Sequence, residues 1–277
     1  MPHLVSWTRQ YASYGLYVIA SHVQRATKEK IERFCRLNRL NFTVVTSAQV
    51  EGDTSRFIPH MWIFDHTGKC VWEGHPGTAA KPLKDIMEKC PHPLLAGLKL
   101  NKLSAINTAL KKGYPPGKIL RQLRSKARSR DPEVAAEAKQ IAARLNAHGE
   151  KLLKKAEECR SGDPYQCYVL YEKLKKDFSG SDIAKEAEKK LRELKKDKAF
   201  MKEYQAGKIF AAIRLYADQL KPLPGGSIDL SDPDCSKLNR KVVRRIVSAA
   251  LLLKKRYSDT TYYEKAKGCL NRLGLKY

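Results

Sequence analysis

Arg56-Phe57-Ile58-Pro59-His60-Met61-Trp62-Ile63-Phe64-Asp65-His66-Thr67-Gly68-Lys69-Cys70-Val71-Trp72-Glu73-Gly74 is the stretch on which the reading of the first part of the chain turns. It predicts an Ile-Pro bend, a buried strand, a polar turn and a second strand. Met61, Ile63 and the flanking aromatics make an apolar run of strand length, bounded by turn residues on both sides. Asp65-His66-Thr67-Gly68 has the form of a hairpin connection, with glycine where a positive φ is wanted. Pro59 cannot donate a ladder hydrogen bond, so it belongs at the first strand position or in a special turn.

Upstream, residues 3–14 predict a helix with Leu4, Trp7 and Tyr11 on one stripe, broken by Gly15. Residues 16–20 (Leu-Tyr-Val-Ile-Ala) suit a buried parallel strand. Thr27 is placed to cap a second helix, faced by Ile31, Phe34, Cys35 and Leu40. Asn41 closes that helix, and residues 42–45 (Phe-Thr-Val-Val) predict another strand. Beyond the hairpin, Leu83, Ile86 and Met87 mark a helix near 81–89.

With that order of elements, the segment Ile58-Pro59 through Asp65, Gly68 and Val71 resembles the second half of a thioredoxin-like domain. Such domains occur in extracytoplasmic thiol–disulfide oxidoreductases and peroxiredoxin-like redoxins. The resemblance implies that Pro59 takes the cis-proline place. It also implies that the backbone of Ile58 meets an extended substrate by β-type hydrogen bonds, so Ile58 and Pro59 are the candidate substrate-binding residues. Protein thiols and disulfides are the implied partners, a periplasmic or cell-envelope location is the implied compartment, and no cofactor is implied.

The chain departs from that family at one place. There, a strand precedes the first helix, and a C-x-x-C pair at the helix N-terminus supplies the reactive thiolate. Met1-Pro2-His3-Leu4 coincides with the "M-P-x-L" that often follows that pair, which would set the motif upstream of residue 1. The missing strand would lie mid-sheet, between the strands near Val18 and Ile63, leaving both with unpaired edges. Two explanations stand: a truncated gene model, which we favour, or a degenerate redoxin whose two neighbouring strands pair directly. In either case the sequence offers no catalytic residues, and whether the protein is an enzyme stays open. Cys35 fits a helix core, and Cys70 would have to face the proline loop to act.

Composition narrows the alternatives. Among 277 residues, 54 lysines and arginines stand against 29 acidic residues, a formal net charge of +25. Residues 1–99 carry 13 basic and 8 acidic side chains, so most of the excess lies beyond residue 100. No run of about 18 apolar residues exists to span a membrane, and no signal peptide is visible at Met1. The seven cysteines are scattered with no C-x-x-C, against both a disulfide framework and a zinc site. His60, His66 and His75 cluster around the hairpin without metal-ligand spacing, and Trp62 and Trp72 fit sheet packing.

Residues 91–99 have the composition of a linker, and from residue 100 the chain turns to Lys, Glu, Ala and Leu at helical spacing. Ile106, Ala109 and Leu110 face one helix; Ile119, Leu120 and Leu123 face the next. A weak repeat follows: Phe178, Ser181, Ala187, Leu191 and Leu194 are echoed by Tyr257, Thr260, Ala266, Leu270 and Leu273. Asp131-Pro132 through Ala138, Ala142 and Leu145 is a fainter copy. Tyr168, Leu170, Tyr171 and Leu174 form the first helix of the middle pair, and residues 222–226 (Pro-Leu-Pro-Gly-Gly) a second loop. The pattern resembles tetratricopeptide-like helical hairpins.

The expected architecture is therefore an α/β thioredoxin-like domain lacking its first strand (1–90), a linker (91–99), and a basic all-α helical-hairpin region (100–277). Basic runs such as Lys111-Lys112, Arg121 to Arg130, and Arg240-Lys241 with Arg244-Arg245 are able to follow a phosphate backbone or to meet an acidic protein or cell-envelope partner. They favour nucleic acid less, because Lys and Glu intermingle across 185–198 as on a solvated helix face and no nucleic-acid module is recognisable. A thiol-exchange protein without its thiols and a non-catalytic interaction scaffold are the two functional readings.

Overall fold

The computed structural model describes residues 2–24, 26–46, 48–53, 57–223 and 228–275; Met1, Arg56, Pro224, Gly225 and Gly226, used in the sequence reading, lie outside them. The chain forms two compact units, Met1–Leu145 and Asn146–Tyr277.

The first unit contains α1 (Pro2–Tyr11), β1 (Ile19–His22), α2 (Lys28–Leu37), β2 (Thr43–Thr46), β3 (Met61–Phe64), β4 (Cys70–Gly74), α3 (Ala80–Lys89), α4 (Ala105–Lys111), α5 (Pro116–Lys126) and the start of α6 (Pro132–Gly162). β3 and β4 are antiparallel, with Ile63 opposite Trp72. The turn is locked by Asp65, whose Oδ1 accepts from the Thr67 N–H (2.8 Å), the Thr67 hydroxyl (2.6 Å) and the Lys69 N–H (3.1 Å). Those bonds, the Thr67 hydroxyl first, hold its carboxyl below the usual range. Gly68 takes the expected positive φ of 86°. Ile63 is buried with Ala79, Leu83 and Met87, and Trp7 and Tyr11 of α1 pack on the same cluster.

β1 and β2 form a separate parallel pair, Ile19 opposite Thr43. Here the expected architecture is overturned. The described residues are 65% helical and 7% strand, with two sheets of two strands each, and among them no thioredoxin-like α/β domain followed by helices is formed. One continuous sheet would need a strand bonded to both pairs, and none of the described residues supplies it. Pairs of four- and five-residue strands cannot make a layer by themselves, and helices provide the packing instead. The strand expected at 16–20 begins only at Ile19, and Tyr17 and Ile19 are 72% and 60% exposed rather than buried.

Residues 91–99 are packed: Leu95 is 1% exposed, the His92 N–H donates to Asn107 Oδ1 (2.6 Å), and Gly15 lies against the Pro93 ring. The next loop is fixed by a buried charge. Glu137 of α6 accepts the N–H groups of Asn101 (2.7 Å), Lys102 (3.1 Å) and Leu103 (2.7 Å). Burial raises its pKa, but those three donors outweigh burial and the net shift is downward.

The second unit runs from the end of α6 through α7 (Pro164–Asp177), α8 (Asp182–Lys196), α9 (Lys198–Ala217), α10 (Pro233–Leu238), α11 (Arg240–Tyr257) and α12 (Thr261–Arg272). The two sequence echoes share one cap geometry. The Ser181 hydroxyl donates to the Phe178 carbonyl and accepts from the Ala184 N–H; the Thr260 hydroxyl donates to the Tyr257 carbonyl and accepts from the Tyr263 N–H. Ala187, Leu191 and Leu194 on α8, and Ala266 and Leu270 on α12, are buried as the spacing predicts. Gly207 lets α9 come close to α7 and α12, because a Cβ there would lie 2.5 Å from Tyr165 Cβ and 3.0 Å from the Tyr262 ring.

Two outcomes follow. Gly207→Ala gains up to about 1 kcal/mol of helix propensity but forces a core shift of about 1–3 kcal/mol; chemical denaturation should show a net loss. Glu137→Gln should lose about 2 kcal/mol at neutral pH, because a neutral amide replaces a charge held by three donors. Glu137 ionises more readily folded than unfolded, so its contribution is full above the ordinary glutamate value of about 4.3 and disappears as pH falls through the lower folded value. Urea melts of wild type and variant should therefore converge in acid.

Candidate functional site

The residues singled out around the hairpin do not assemble into a chemical centre. The Ile58–Pro59 peptide is cis and Ile58 is 71% exposed. Cys70 pairs with Phe64 while Met61 pairs with Gly74, so Cys70 sits at the opposite end of the ladder from Pro59, about 10 Å further along the strand. Its thiol donates to the Trp72 carbonyl. Cys35 is half-buried on α2. His60 packs between Phe57 and Trp62, with ring centroids 4.8 and 4.5 Å away. His75 Nδ1 accepts from the Gly77 N–H and so caps a turn. Among the described residues no three His, Cys, Asp or Glu side chains converge as metal ligands. Cys167 is fully buried on α7, where burial, then the nearby Glu157 charge, pushes its thiol up to about 12.

The feature with a definite shape and charge lies in the second unit, between α9 and α11. These helices run antiparallel: the Arg245 guanidinium sits 5.8 Å from the Tyr216 ring at one end, and Lys202 Nζ pairs with Asp259 at 2.6 Å beyond the other. The matched positions 245 with 216 and 259 with 202 place Ala249 level with Ala212 and Leu252 level with Ile209. A groove of about 660 Å³ runs along this seam.

Its layout follows from helical spacing. On α11, Arg244, Ser248, Leu252 and Arg256 recur every four residues and form one stripe. On α9, Lys208, Ile209, Ala212 and Tyr216 form the facing stripe. The small side chains Ala212, Ser248 and Ala249 make the floor midway. Ile209 and Leu252 make an apolar step, with Leu252 40% exposed. Arg244 and Arg245 with Tyr216 close one end, and Lys208 and Arg256 with Tyr257 close the other. No acidic side chain lines the groove.

The electrostatics are one-sided. α11 carries seven lysines and arginines and no acid. Lys254, Lys255 and Arg256 suit the C-terminal end of the helix dipole, but Arg240, Lys241, Arg244 and Arg245 crowd the N-terminal half, where cations are unfavourable. Among the described residues none of Lys208, Arg244, Arg245 and Arg256 makes an ion pair. Two acids near the Arg256 end are engaged elsewhere: Glu203 accepts from the N–H and hydroxyl of Thr261 (both 2.9 Å), and Asp259, held below its usual pKa chiefly by the Lys202 hydrogen bond, keeps that lysine. Chemically the groove can take an anionic surface with an apolar strip. Its lining holds no histidine, cysteine or carboxylate beside Ser248. Sequence reading found the run Arg240 to Arg245 but not its facing stripe; the signal was the absence of any acid over the 18 residues of α11.

Comparison with known protein families, with curated proteins and with solved structures finds no match to this chain.

The buried thiol gives a direct check. At about pH 8.5, where an ordinary cysteine is about half ionised, Cys167 in the folded protein should resist iodoacetamide while Cys70 reacts. Peptide mapping by mass spectrometry reads both, and rapid labelling of Cys167 in folded protein would contradict its placement.

Proposed function

We propose that this chain is a non-catalytic interaction protein whose second unit binds an acidic protein partner through the α9–α11 groove. The observation that carries this reading is the unbalanced cation set. Lys208, Arg244, Arg245 and Arg256 flank an apolar strip with no acid among the lining residues. Arg245 lies over the Tyr216 ring and Lys208 over the Tyr204 ring, but among the described residues none of the four meets a carboxylate, so their charge is left to attract a ligand of opposite sign.

A nucleic-acid ligand fits less well. A phosphate backbone calls for a continuous track of cations, whereas here the middle of the seam is Ala212, Ala249, Ile209 and Leu252. Thiol chemistry has less support still: Cys70 and Pro59 lie at opposite ends of the hairpin ladder, and the most buried thiols, Cys167 and Cys235, are 0% exposed.

The test is affinity capture from nuclease-treated lysate of the source cells, comparing wild type with Lys208→Gln, Arg244→Gln, Arg245→Gln and Arg256→Gln combined. All four positions are exposed, so each change should alter stability by no more than about 0.5 kcal/mol. Acidic proteins captured by wild type and lost with the variant are expected; identical capture by both would sink the reading. In a parallel assay the full chain should reduce insulin disulfides no faster than a thiol-free control. Activity abolished by Cys35→Ser or Cys70→Ser would return the protein to thiol exchange.

A further inference from the structure

Resting on that reading, we infer that the occupant of the α9–α11 groove is an amphipathic α-helix of the partner, with acidic residues at its two ends and an apolar stripe between them. The order of side chains along the seam specifies this pattern: cations and Tyr216 at one end, small and aliphatic residues in the middle, cations and Tyr257 at the other.

Backbone chemistry selects a helix over an extended peptide. A strand lying on this seam would set its N–H and C=O groups against the side chains of Ala212, Ala249 and Leu252, which cannot hydrogen-bond, and the described residues of the unit offer no sheet edge to pair with. A helix satisfies its own backbone and needs only side-chain contacts. The small floor of Ala212, Ser248 and Ala249 allows a third helix to seat its ridge between α9 and α11 at ordinary interaxial distance, about 8–10 Å.

Length follows from the cation spacing. Arg244 and Arg256 are twelve residues apart on α11, which is about 18 Å along the axis. A docked helix aligned with the seam would place its acidic groups about eleven or twelve residues apart on one face, with apolar residues at three- and four-residue intervals between them. Tyr216 and Tyr257 supply flat apolar walls beside the charged ends, so each ion pair forms against an aromatic ring instead of in open water. The Arg245–Tyr216 contact at 5.8 Å already shows one cation held in that way.

The experiment uses the full chain and a capped synthetic peptide of about 17 residues. The peptide carries glutamate pairs near each end and leucines between them on the same face, alanine elsewhere. A permuted peptide of identical composition moves the glutamates to the opposite face. Fluorescence anisotropy should show the patterned peptide binding at least about tenfold more tightly than the permuted one. Its helical circular dichroism should rise on mixing. Arg244→Gln with Arg256→Gln, and separately the neutral change Leu252→Gln, should each weaken binding about tenfold or more. Thermal melts of the variants should match wild type, since all three positions are exposed.

Equal binding of the two peptides would overturn the helix and leave the acidic-partner reading standing on the capture experiment. Unchanged affinity of Leu252→Gln would overturn it too, because that neutral change leaves the charges alone and contact would then be electrostatic alone. Binding of a DNA duplex or single-stranded RNA that displaces the peptide, depends on the same arginines and falls steeply with salt would overturn both this inference and the reading beneath it.

Discussion

A single hydroxyl, that of Tyr262, joins the last helix of the second unit to the start of α7. It donates to the Asp163 carboxylate and accepts the Tyr165 N–H at 3.1 Å, while Asp163 also caps α7 through the Gln166 N–H. The residue is 3% exposed, and burial, then the Asp163 hydrogen bond, raises its pKa and keeps it a donor. Gly207 brings α9 against both partners of that node. Because α11 packs antiparallel on α9, the placement of the groove depends on the same node, although no groove residue belongs to it.

Elsewhere in the second unit, several charges are paired. Lys175 meets Glu188, Lys185 meets Asp182, and Glu157 accepts from both Tyr171 and Lys190. Such exposed pairs contribute little to stability, but they offset charge where they form. α11 is the exception, and the exception faces the groove. α8 mixes four acids with six bases, whereas α11 carries seven bases and no acid.

The helical half was legible in the sequence because its signals are local. Ser181 and Thr260 stand at the caps, and the buried positions after them recur at three- and four-residue spacing. The hairpin at residues 61–74 was legible for the same reason, from turn chemistry and alternation. The sheet was not, because whether β1 finds a second neighbour is a question about distant chain. Local pattern at Tyr17 and Ile19 is the same with or without one. The groove was half legible: the basic run on α11 can be read from sequence, but the pairing of residue 245 with 216 depends on how two helices meet.

The parallel pair has one further consequence, for the order in which the protein opens. β1 and β2 are four residues each, and among the described residues their ladder bonds run only to one another. Releasing either strand frees every ladder amide of both at once. Hydrogen exchange in this ribbon should therefore proceed through a shared local opening at low free energy. The amides around Tyr262, Ala206 and Ile213, enclosed by several helices, should wait for global unfolding. One chain thus holds a segment that samples its unfolded form often beside a helical body that seldom does.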